Sequence, residues 1–389
     1  MIETYISEIK SLLKKPKNII TTNEILSTNT ICRPLLILSF IFVVLKSMKV
    51  STPFYTLGIE SSCDDTAAAI LCDGKVLSNC IANQEIHKRY GGVVPELASR
   101  AHQSNIIPVV TAAIEQAGIE KKQLNLIAFT QGPGLLGSLL VGSSFAKSLA
   151  MGLNIPFLAV NHMQGHLLAS FIDHPQQQQP PRFPFLGVTV SGGHTQIVLC
   201  KAAFDMEVIG ETQDDAIGEA FDKCGKIIGL PYPAGPSLDR LAQQGNSKAF
   251  TFPIPKMKGL NLSYSGIKTA FLNFIHKHQN KDPEFVEKNR EDLCASLQWA
   301  LVENIFRKIE QAVKETDIDR IVIGGGVSAN SEIRARLLDK AKTDQWTVHL
   351  PPFEYTTDNA AMIGMVGYLQ AQSKKYSDFT AIANPRLGF

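Results

Sequence analysis

From Tyr55 onward, the chain alternates short apolar runs with stretches of helical periodicity, which is the pattern of an α/β fold. The first half predicts a strand at 54–60, a small polar turn and a second short apolar run that ends at 71, and a further strand at 75–80. It continues with a helix at about 96–117, a strand and glycine turn at 124–137, a helix at 138–151 and a strand at 157–160. The second half repeats this order. It predicts two strands around a small polar turn at 185–200, helices at about 216–230 and 290–316, a strand and glycine turn at 320–330, a helix at 331–342, a strand at 347–350 and a last helix at about 357–372.

The repetition predicts two similar lobes. We expect the first lobe over 53–173, completed by the helix at 357–372, and the second over 185–356. The residues between them, 174–184, are rich in Gln and Pro and indicate an exposed linker. Each lobe has a small polar turn between its first strands and a glycine turn further on, so the two lobes should face each other across a nucleotide cleft.

The first 47 residues do not share this pattern. The run at 35–45 is the most apolar in the chain, but it covers only about half of the roughly 20 residues that a membrane-spanning helix needs. It lacks the small-residue cleavage site of a signal peptide, and Met48 opens a stretch that leads into the first predicted strand. We interpret 1–47 as an extension of doubtful authenticity from a wrongly chosen start codon, with a genuine anchor as the alternative. We expect no membrane partner.

Composition narrows the class of protein. A chain of 389 residues with 44% hydrophobic and 19% charged residues is too apolar to be disordered. Without its first 47 residues the chain carries 32 basic and 33 acidic residues, which argues against nucleic-acid binding by overall basicity. The seven cysteines form no CxxC pair, so we expect a reduced, cytoplasmic protein without a zinc ribbon.

Two glycine turns are candidate phosphate sites. SGGHT (191–195) lies between two predicted strands, where backbone N–H groups can face an anion, although a tight hairpin explains it equally well. GGGVSAN (324–330) leads into a helix N-terminus, which favours negative charge. A third motif, GPGLLG (132–137), matches the dinucleotide-binding pattern, which also requires an acid about 20 residues later to hold the ribose. The sequence has no acid between Glu120 and Asp173, which excludes a Rossmann site. The P-loop motif is absent from the sequence.

Several polar residues are candidates for chemistry. His162 and His166 lie at i and i+4, so on a helix both imidazoles would project from one face and could share a metal, or they can be structural. Met163 stands where a zinc protease has its catalytic Glu, which disfavours proteolysis. Asp358 is the best third ligand, with a helix N-cap as its ordinary alternative.

Other acids have competing interpretations. Asp64 could orient or deprotonate a nucleophile or cap a turn, and Cys63 is a poor nucleophile because no histidine is placed to activate it. Asp222 and Asp239, with Gly235 between them, fit hydrogen bonding to ribose hydroxyls, although solvation at the surface explains each of them.

These motifs together resemble one family, the tRNA adenosine threonylcarbamoyltransferases of the bacterial TsaD type. The matching segments cover about 54–372 in order and spacing. They are GIESSCDDT (58–66), YGGVVPELASRAH (90–102), GPGLLGSLLVG (132–142), NHMQGH (161–166), VSGGHTQ (190–196), DDAIGEAFDK (214–223), YPAGPSLD (232–239), SYSGIKT (263–269), GGGVSAN (324–330) and TDNAAM (357–362).

The resemblance implies the actin-like ATPase fold of sugar kinases and heat-shock chaperones. It implies transfer of threonylcarbamoyl from threonylcarbamoyl-AMP to the N6 amine of adenosine 37 in tRNAs that read codons beginning with A, together with a TsaB-like paralogue and a TsaE-like ATPase as partners. By matching position, one Fe²⁺ would be bound by His162, His166 and Asp358, with zinc as the main alternative metal. The adenylate would be bound by Thr189, Val190, Ser191, Gly192, Gly193, Asp222, Gly235, Asp239 and Asn330.

The chain departs from the family pattern in two places. Asp65 stands where many members have Glu, and Asn161 and Gln164 lie in a stretch that often reads HHMEGH. The proposed ligands are unaffected. Two other functions remain as alternatives, a small-molecule kinase of the same fold and a non-catalytic nucleotide-dependent scaffold, neither of which needs the His162/His166 pair.

Overall fold

The computed structural model describes residues 52–83, 87, 90–175 and 179–389. Residues 53–389 form one compact unit. The proposed extension at 1–47 and its apolar run lie outside the described residues.

Ten strands form two five-stranded sheets. The first sheet has the order β3-β2-β1-β4-β5 and contains β1 (Tyr55–Glu60), β2 (Thr66–Cys72), β3 (Lys75–Ala82), β4 (Leu124–Gly132) and β5 (Phe157–Asn161). The second sheet has the order β10-β9-β6-β7-β8 and contains β6 (Phe185–Val190), β7 (Thr195–Ala202), β8 (Asp205–Glu211), β9 (Arg320–Gly324) and β10 (Thr347–His349).

The two sheets share one topology. In each, the first strand pairs antiparallel with the second and parallel with the fourth, while the fifth runs parallel to the fourth. This duplication confirms the prediction of two similar halves. The lobe boundaries at 173 and 185 stay a prediction.

The described residues also contain helices, several of which lie against these sheets. They are α1 (Pro95–Gln116), α2 (Leu136–Leu153), α3 (His162–Leu168), α4 (Ile217–Ile227), α5 (Gly235–Ala242), α6 (Ser265–Gln279), α7 (Phe285–Lys288), α8 (Arg290–Thr316), α9 (Ser331–Thr343) and α10 (Ala360–Ala371). Among the described residues, short 3₁₀ helices lie at Lys121–Gln123, Ala169–Phe171, Gly326–Ala329 and Phe353–Tyr355.

The last helix, α10, packs against β1, β2 and β4 of the first sheet. Its apolar residues, such as Met362 and Ile363, are buried in one cluster with Leu71 and Leu126. The approach is close, since a Cβ on Gly58 of β1 would lie 2.2 Å from the Ala360 carbonyl oxygen. The helix therefore needs glycine on the facing strand.

The sequence pattern missed some elements and shifted others. It did not predict the edge strand β8 or the helices α5, α6 and α7. The last helix begins at Ala360 rather than near 357, because Asn359 takes the N-cap position and its Oδ1 accepts from the Met362 N–H at 3.0 Å.

One helix in the described part of the chain, Leu136–Leu153, is long and apolar enough to cross a membrane. In this fold it packs against α1 and β4.

Candidate metal and nucleotide site

The histidine pair lies on α3, which starts directly after β5. Asn161 caps this helix, and its Oδ1 accepts from the backbone N–H groups of Met163 (2.8 Å) and Gln164 (3.2 Å). His162 and His166 are one turn apart and both buried, with ring centroids 4.7 Å from each other. The helical i, i+4 arrangement predicted from the sequence is present.

Asp358 approaches both imidazoles. Its Oδ1 lies 3.4 Å from His162 Nε2 and 3.3 Å from His166 Nε2, and its side chain is 26% exposed. One donor atom from each of the three residues lies within 4.8 Å of the others. The alternative role as a helix N-cap belongs to the neighbouring Asn359.

The donor chemistry fits a transition-metal cation. Both ring nitrogens of His166 are buried without a hydrogen-bond partner of good geometry, which is costly for a polar group. Two imidazole nitrogens and a carboxylate oxygen are the donors that iron and zinc accept. The ligand role of the three residues remains a prediction that this arrangement supports.

Glu60, which the sequence analysis did not select, lies behind His162. Its Oε2 is 2.9 Å from His162 Nδ1 and accepts from the Thr130 hydroxyl at 2.6 Å. Its Oε1 accepts from the Ser62 N–H, and the whole side chain is buried. The sequence feature that could have identified Glu60 is its charge at the end of an otherwise apolar strand. A carboxylate on the second nitrogen of a metal-binding histidine sets the orientation and the tautomer of the ring.

Electrostatics in this cluster favour the charged forms of Asp358 and His162 and the neutral form of His166. Burial raises the pKa of Asp358, but the charge and hydrogen bonding of His162, together with His166, outweigh it and lower that pKa. Burial lowers the pKa of His162, but Glu60 and Asp358 outweigh it and raise that pKa. Burial dominates at His166 and lowers its pKa. These pKa shifts favour an imidazolium at His162 between two carboxylates and a neutral ring at His166.

The turn after β1 carries Asp64 and Asp65. His102 of α1 holds this turn, with Nε2 at 3.0 Å from the Cys63 carbonyl oxygen and Nδ1 at 2.7 Å from the Thr66 hydroxyl. Burial and then Asp358 raise the pKa of Asp64, while burial and then Asp64 raise the pKa of Asp65 to about 7. Burial also raises the pKa of the Cys63 thiol, which makes it a poor nucleophile, in line with the sequence analysis.

The predicted phosphate turn follows β6. Thr189 and Val190 end that strand, and the Ser191 carbonyl accepts from the Gly218 N–H of α4 at 3.2 Å. A Cβ on Gly192 or Gly193 would meet no atom within 4 Å, so this stretch of backbone faces open space. The buried Thr189 hydroxyl has no hydrogen-bond partner. Both features suit an anion site.

Asp222 and Gly235 lie together on one side of this region. The Asp222 Oδ1 accepts from the backbone N–H groups of Ala234 (2.7 Å) and Gly235 (3.2 Å) at the start of α5. Burial raises the pKa of Asp222. Only one of its two oxygens is used by these bonds, so the second can accept from a ligand.

Asp239 and Asn330 are joined through Ser331. Asp239 accepts from the Ser331 N–H (3.1 Å) and hydroxyl (2.6 Å). Asn330 caps α9 through Ile333 N–H at 3.1 Å, and its amide donates to Gln298 Oε1 at 2.8 Å. The structure thus gives both residues a structural role beside the predicted one in ribose binding, which remains a prediction.

The second glycine turn connects the metal cluster to the phosphate turn. A Cβ on Gly324 would lie 2.4 Å from the His166 carbonyl oxygen, and one on Gly325 would lie 2.4 Å from the Val190 carbonyl oxygen. Burial, followed by the nearby His162 and His166, lowers the pKa of His194 in the first turn. The two candidate sites are therefore neighbours.

The C-terminal tail also contacts the start of α3, the helix that carries the two histidines. The Asn161 amide donates to the Gly388 carbonyl at 2.6 Å, and Lys147 donates to the Phe379 carbonyl at 3.2 Å. Asn161 thus links the cap of α3 to the end of the chain.

Comparisons with known proteins identify the family. A sequence model described as TsaD, tRNA N6-adenosine threonylcarbamoyltransferase, matches residues 75–365. The curated tRNA N6-adenosine threonylcarbamoyltransferase of Christiangramia forsetii is 59% identical over 333 residues, which cover 86% of this chain and 98% of the relative. The protein of the same name from Thermosipho africanus is 47% identical over 334 residues, which cover 85% of this chain and 98% of the relative.

Solved structures support the fold. HypF, solved in a phosphate- and nucleotide-bound form, superposes with a TM-score of 0.54 at 14% identity over 86% of this chain. This chain spans about half of HypF, with 47% of it covered, and the likeness concerns the fold alone. The duplicated sheets, the likeness to HypF and the family model together confirm the predicted actin-like ATPase fold. Matched by the family model over most of its length and by curated relatives over nearly all of theirs, the chain belongs to the TsaD family of tRNA N6-adenosine threonylcarbamoyltransferases.

Proposed function

We propose that this chain transfers the threonylcarbamoyl group from threonylcarbamoyl-AMP to the N6 amine of adenosine 37 in tRNAs that read codons beginning with A. The bond between the carbamoyl carbon and the phosphate oxygen breaks, a bond from that carbon to N6 forms, the amine gives up a proton, and AMP leaves. The observation that carries the proposal is the family match together with a histidine and aspartate cluster beside an open glycine turn.

The adenylate would lie along the second lobe. Residues Thr189 to Gly193 would face the adenylate, with the backbone N–H groups of Gly192 and Gly193 toward its phosphate, because the Ser191 N–H already donates to the His194 carbonyl oxygen at 2.9 Å. Asp222 and Asp239 would offer carboxylate oxygens to ribose hydroxyls. Gly235 and Asn330 complete this wall. Since the mixed anhydride is already activated, the chain needs mainly to align the carbonyl with the amine and to stabilise the charge that develops.

His162, His166 and Asp358 would hold one metal ion, for which we propose Fe²⁺ with Zn²⁺ as the alternative. Bound there, the metal would supply Lewis acidity. Glu60 would orient His162 from behind. Elemental analysis of the purified protein distinguishes the two metals.

The proton lost by the amine needs an acceptor. Asp64 is our candidate, because its raised pKa makes it a stronger base than an exposed aspartate. An Asp64→Asn variant that releases AMP at the normal rate in the presence of tRNA would exclude this role.

The resemblance adds protein partners to the proposal. We propose that a TsaB-like paralogue and a TsaE-like ATPase act with this chain. Purification of the tagged chain from its own cells, followed by mass spectrometry of bound proteins, tests both.

The decisive experiment expresses this chain in cells that lack t6A because their own threonylcarbamoyltransferase has been removed. Nucleoside mass spectrometry should detect t6A with the intact chain and none with His162→Ala. Absence of t6A with the intact chain, although the protein is present and folded, would contradict the proposed function.

A further inference from the structure

The charges of the chain are distributed unevenly around the second lobe. Between Asp239 and Asp282 there is no acidic residue, although the chain contains 36, and this stretch holds seven of its 38 basic residues. We call residues 240–281 the acid-free segment. Its basic residues are Arg240, Lys248, Lys256, Lys258, Lys268, Lys277 and Lys281. The second lobe of a near-neutral protein therefore carries a positive stretch of sequence.

The middle of the acid-free segment is a loop held by hydrogen bonds from α8. Lys308 of α8 donates to the carbonyl oxygens of Met257 (2.9 Å) and Gly259, and Asn304 donates to the Ser263 carbonyl at 2.9 Å. Lys256 and Lys258 are exposed on this loop. The backbone is held on the body of the lobe while the two ammonium groups reach solvent.

Most of the positive charge in the segment is unpaired. Lys268 forms an ion pair with Asp215 at 2.5 Å. For Lys248, Lys256, Lys258, Lys277 and Lys281, no carboxylate of the described residues lies within 4.0 Å, and Asp282 pairs with Lys288 instead. Lysines without acidic partners are suited to bind an anionic polymer.

The loop borders the wall of the nucleotide site. Leu262 exchanges backbone hydrogen bonds with Glu211 and Gln213, both at 2.9 Å, and Thr212 donates to the Thr195 carbonyl at 3.0 Å. Thr195 ends the SGGHT turn, and its hydroxyl accepts from the Ile217 N–H at 2.8 Å. Two steps of hydrogen bonding thus join the lysine-bearing loop to the candidate phosphate turn.

We infer that the acid-free segment, through Lys256 and Lys258, is the surface that binds the phosphate backbone of the substrate tRNA next to the reacting adenosine. This inference rests on the proposed function. Adenosine 37 must reach the adenylate with its flanking nucleotides, and each flanking nucleotide carries a phosphate. Lysines at the edge of the adenylate wall neutralise those phosphates without selecting a base, which suits an enzyme that acts on several tRNAs.

The test compares two double variants that remove the same charge. Lys256→Ala/Lys258→Ala changes the proposed surface. Lys121→Ala/Lys122→Ala is the control, because these exposed residues precede the N-terminal end of β4, whereas α3 and its histidines follow the carboxyl end of β5. Binding of unmodified tRNA to the full chain is measured from low to moderate KCl.

We expect the Lys256/Lys258 variant to bind tRNA at least about tenfold more weakly at low salt. The slope of log affinity against log salt should fall by about two, since each lost phosphate contact removes about one counterion. The control variant and Lys256→Arg/Lys258→Arg should keep the wild-type slope, and AMP binding and metal content should be the same in all four proteins.

The outcomes separate the two proposals. A Lys256/Lys258 variant with wild-type affinity and slope, in a chain that binds tRNA and forms t6A, would overturn the inference and leave the proposed function standing. Loss of a protein partner with unchanged tRNA binding would likewise overturn it. A wild-type chain that neither binds tRNA nor restores t6A would contradict both the inference and the proposed function.

Discussion

Nδ1 of His162 lies 2.9 Å from Oε2 of Glu60, so the carboxylate takes this nitrogen and directs Nε2 of the same ring toward Asp358. Glu60 is fixed in turn by the Thr130 hydroxyl and the Ser62 N–H. Strand β1 thereby controls the orientation of a histidine on α3 across a sequence separation of 102.

Glu60→Gln should weaken metal binding by about 10- to 100-fold, because the amide is a poorer acceptor for the ring N–H and can impose the wrong tautomer. Competition with a chelator measures the affinity, and ¹⁵N NMR of the histidine rings reports the tautomer. Glu303→Gln, at another acid with two hydrogen-bonded partners, is the control. Unchanged affinity and tautomer would remove Glu60 from this role.

His162→Ala and His166→Ala should each lose metal and transfer activity, because each removes one of three proposed donors. AMP should still bind, since the phosphate turn and Asp222 are untouched. Elemental analysis and a transfer assay check both points, with His276→Ala, at an exposed position on α6, as the control. Full turnover by a variant without metal would contradict the metal proposal.

Gly324→Ala should displace α3 and so disturb the position of His166. Its Cβ would lie 2.4 Å from the His166 carbonyl oxygen, and an overpacked contact of this kind costs about 1–3 kcal/mol. Gly326→Ala is a matched control two residues away, because its Cβ would meet only a Thr357 methyl group at 3.9 Å. Thermal unfolding and metal content should change in the first variant and not in the second.

Asp222→Ala should weaken AMP binding while metal content stays at the wild-type level. The carboxylate holds the start of α5 through Ala234 and Gly235, and we propose that its second oxygen accepts from a ribose hydroxyl. Calorimetric titration with AMP measures the loss, which we expect to be at least about tenfold for one charged hydrogen bond. Equal loss of metal and AMP would indicate general unfolding of the site instead.

Asp65 should make the chelator-treated protein less stable as pH rises from about 4 to about 7. Its pKa is raised from 3.8 to about 7 on folding, chiefly by burial, so the folded state binds more protons over this window and stability falls with increasing pH. Asp65→Asn should remove this component of the slope of Tm against pH. Asp205→Asn, at an exposed position on β8, is the control, and identical slopes for wild type and Asp65→Asn would contradict the assignment.

Patterns along the chain were enough to predict the elements with a strong hydrophobic period and the candidate site residues with a fixed spacing. Helix α8 occupies the predicted 290–316, and the duplicated order of strands was visible from the repeated pattern. His162 and His166 could be paired because a helix places i and i+4 on one face whatever surrounds it. The polar edge strand β8 and the helices of the lysine-rich region carried too weak a period to be predicted.

The packing of sheets and helices selects which distant groups meet at the site. The strands β1, β4 and β5 run parallel, so Glu60, Thr130 and His162 arrive at the same edge of the sheet, although no spacing in the sequence links them. The packing of α10 on that sheet brings Asp358 to the histidines, and the close approach of Gly324 to His166 joins the two halves of the site. Periodicity is a local property of the chain, whereas these contacts depend on how the sheets and helices pack, which no short stretch of sequence contains.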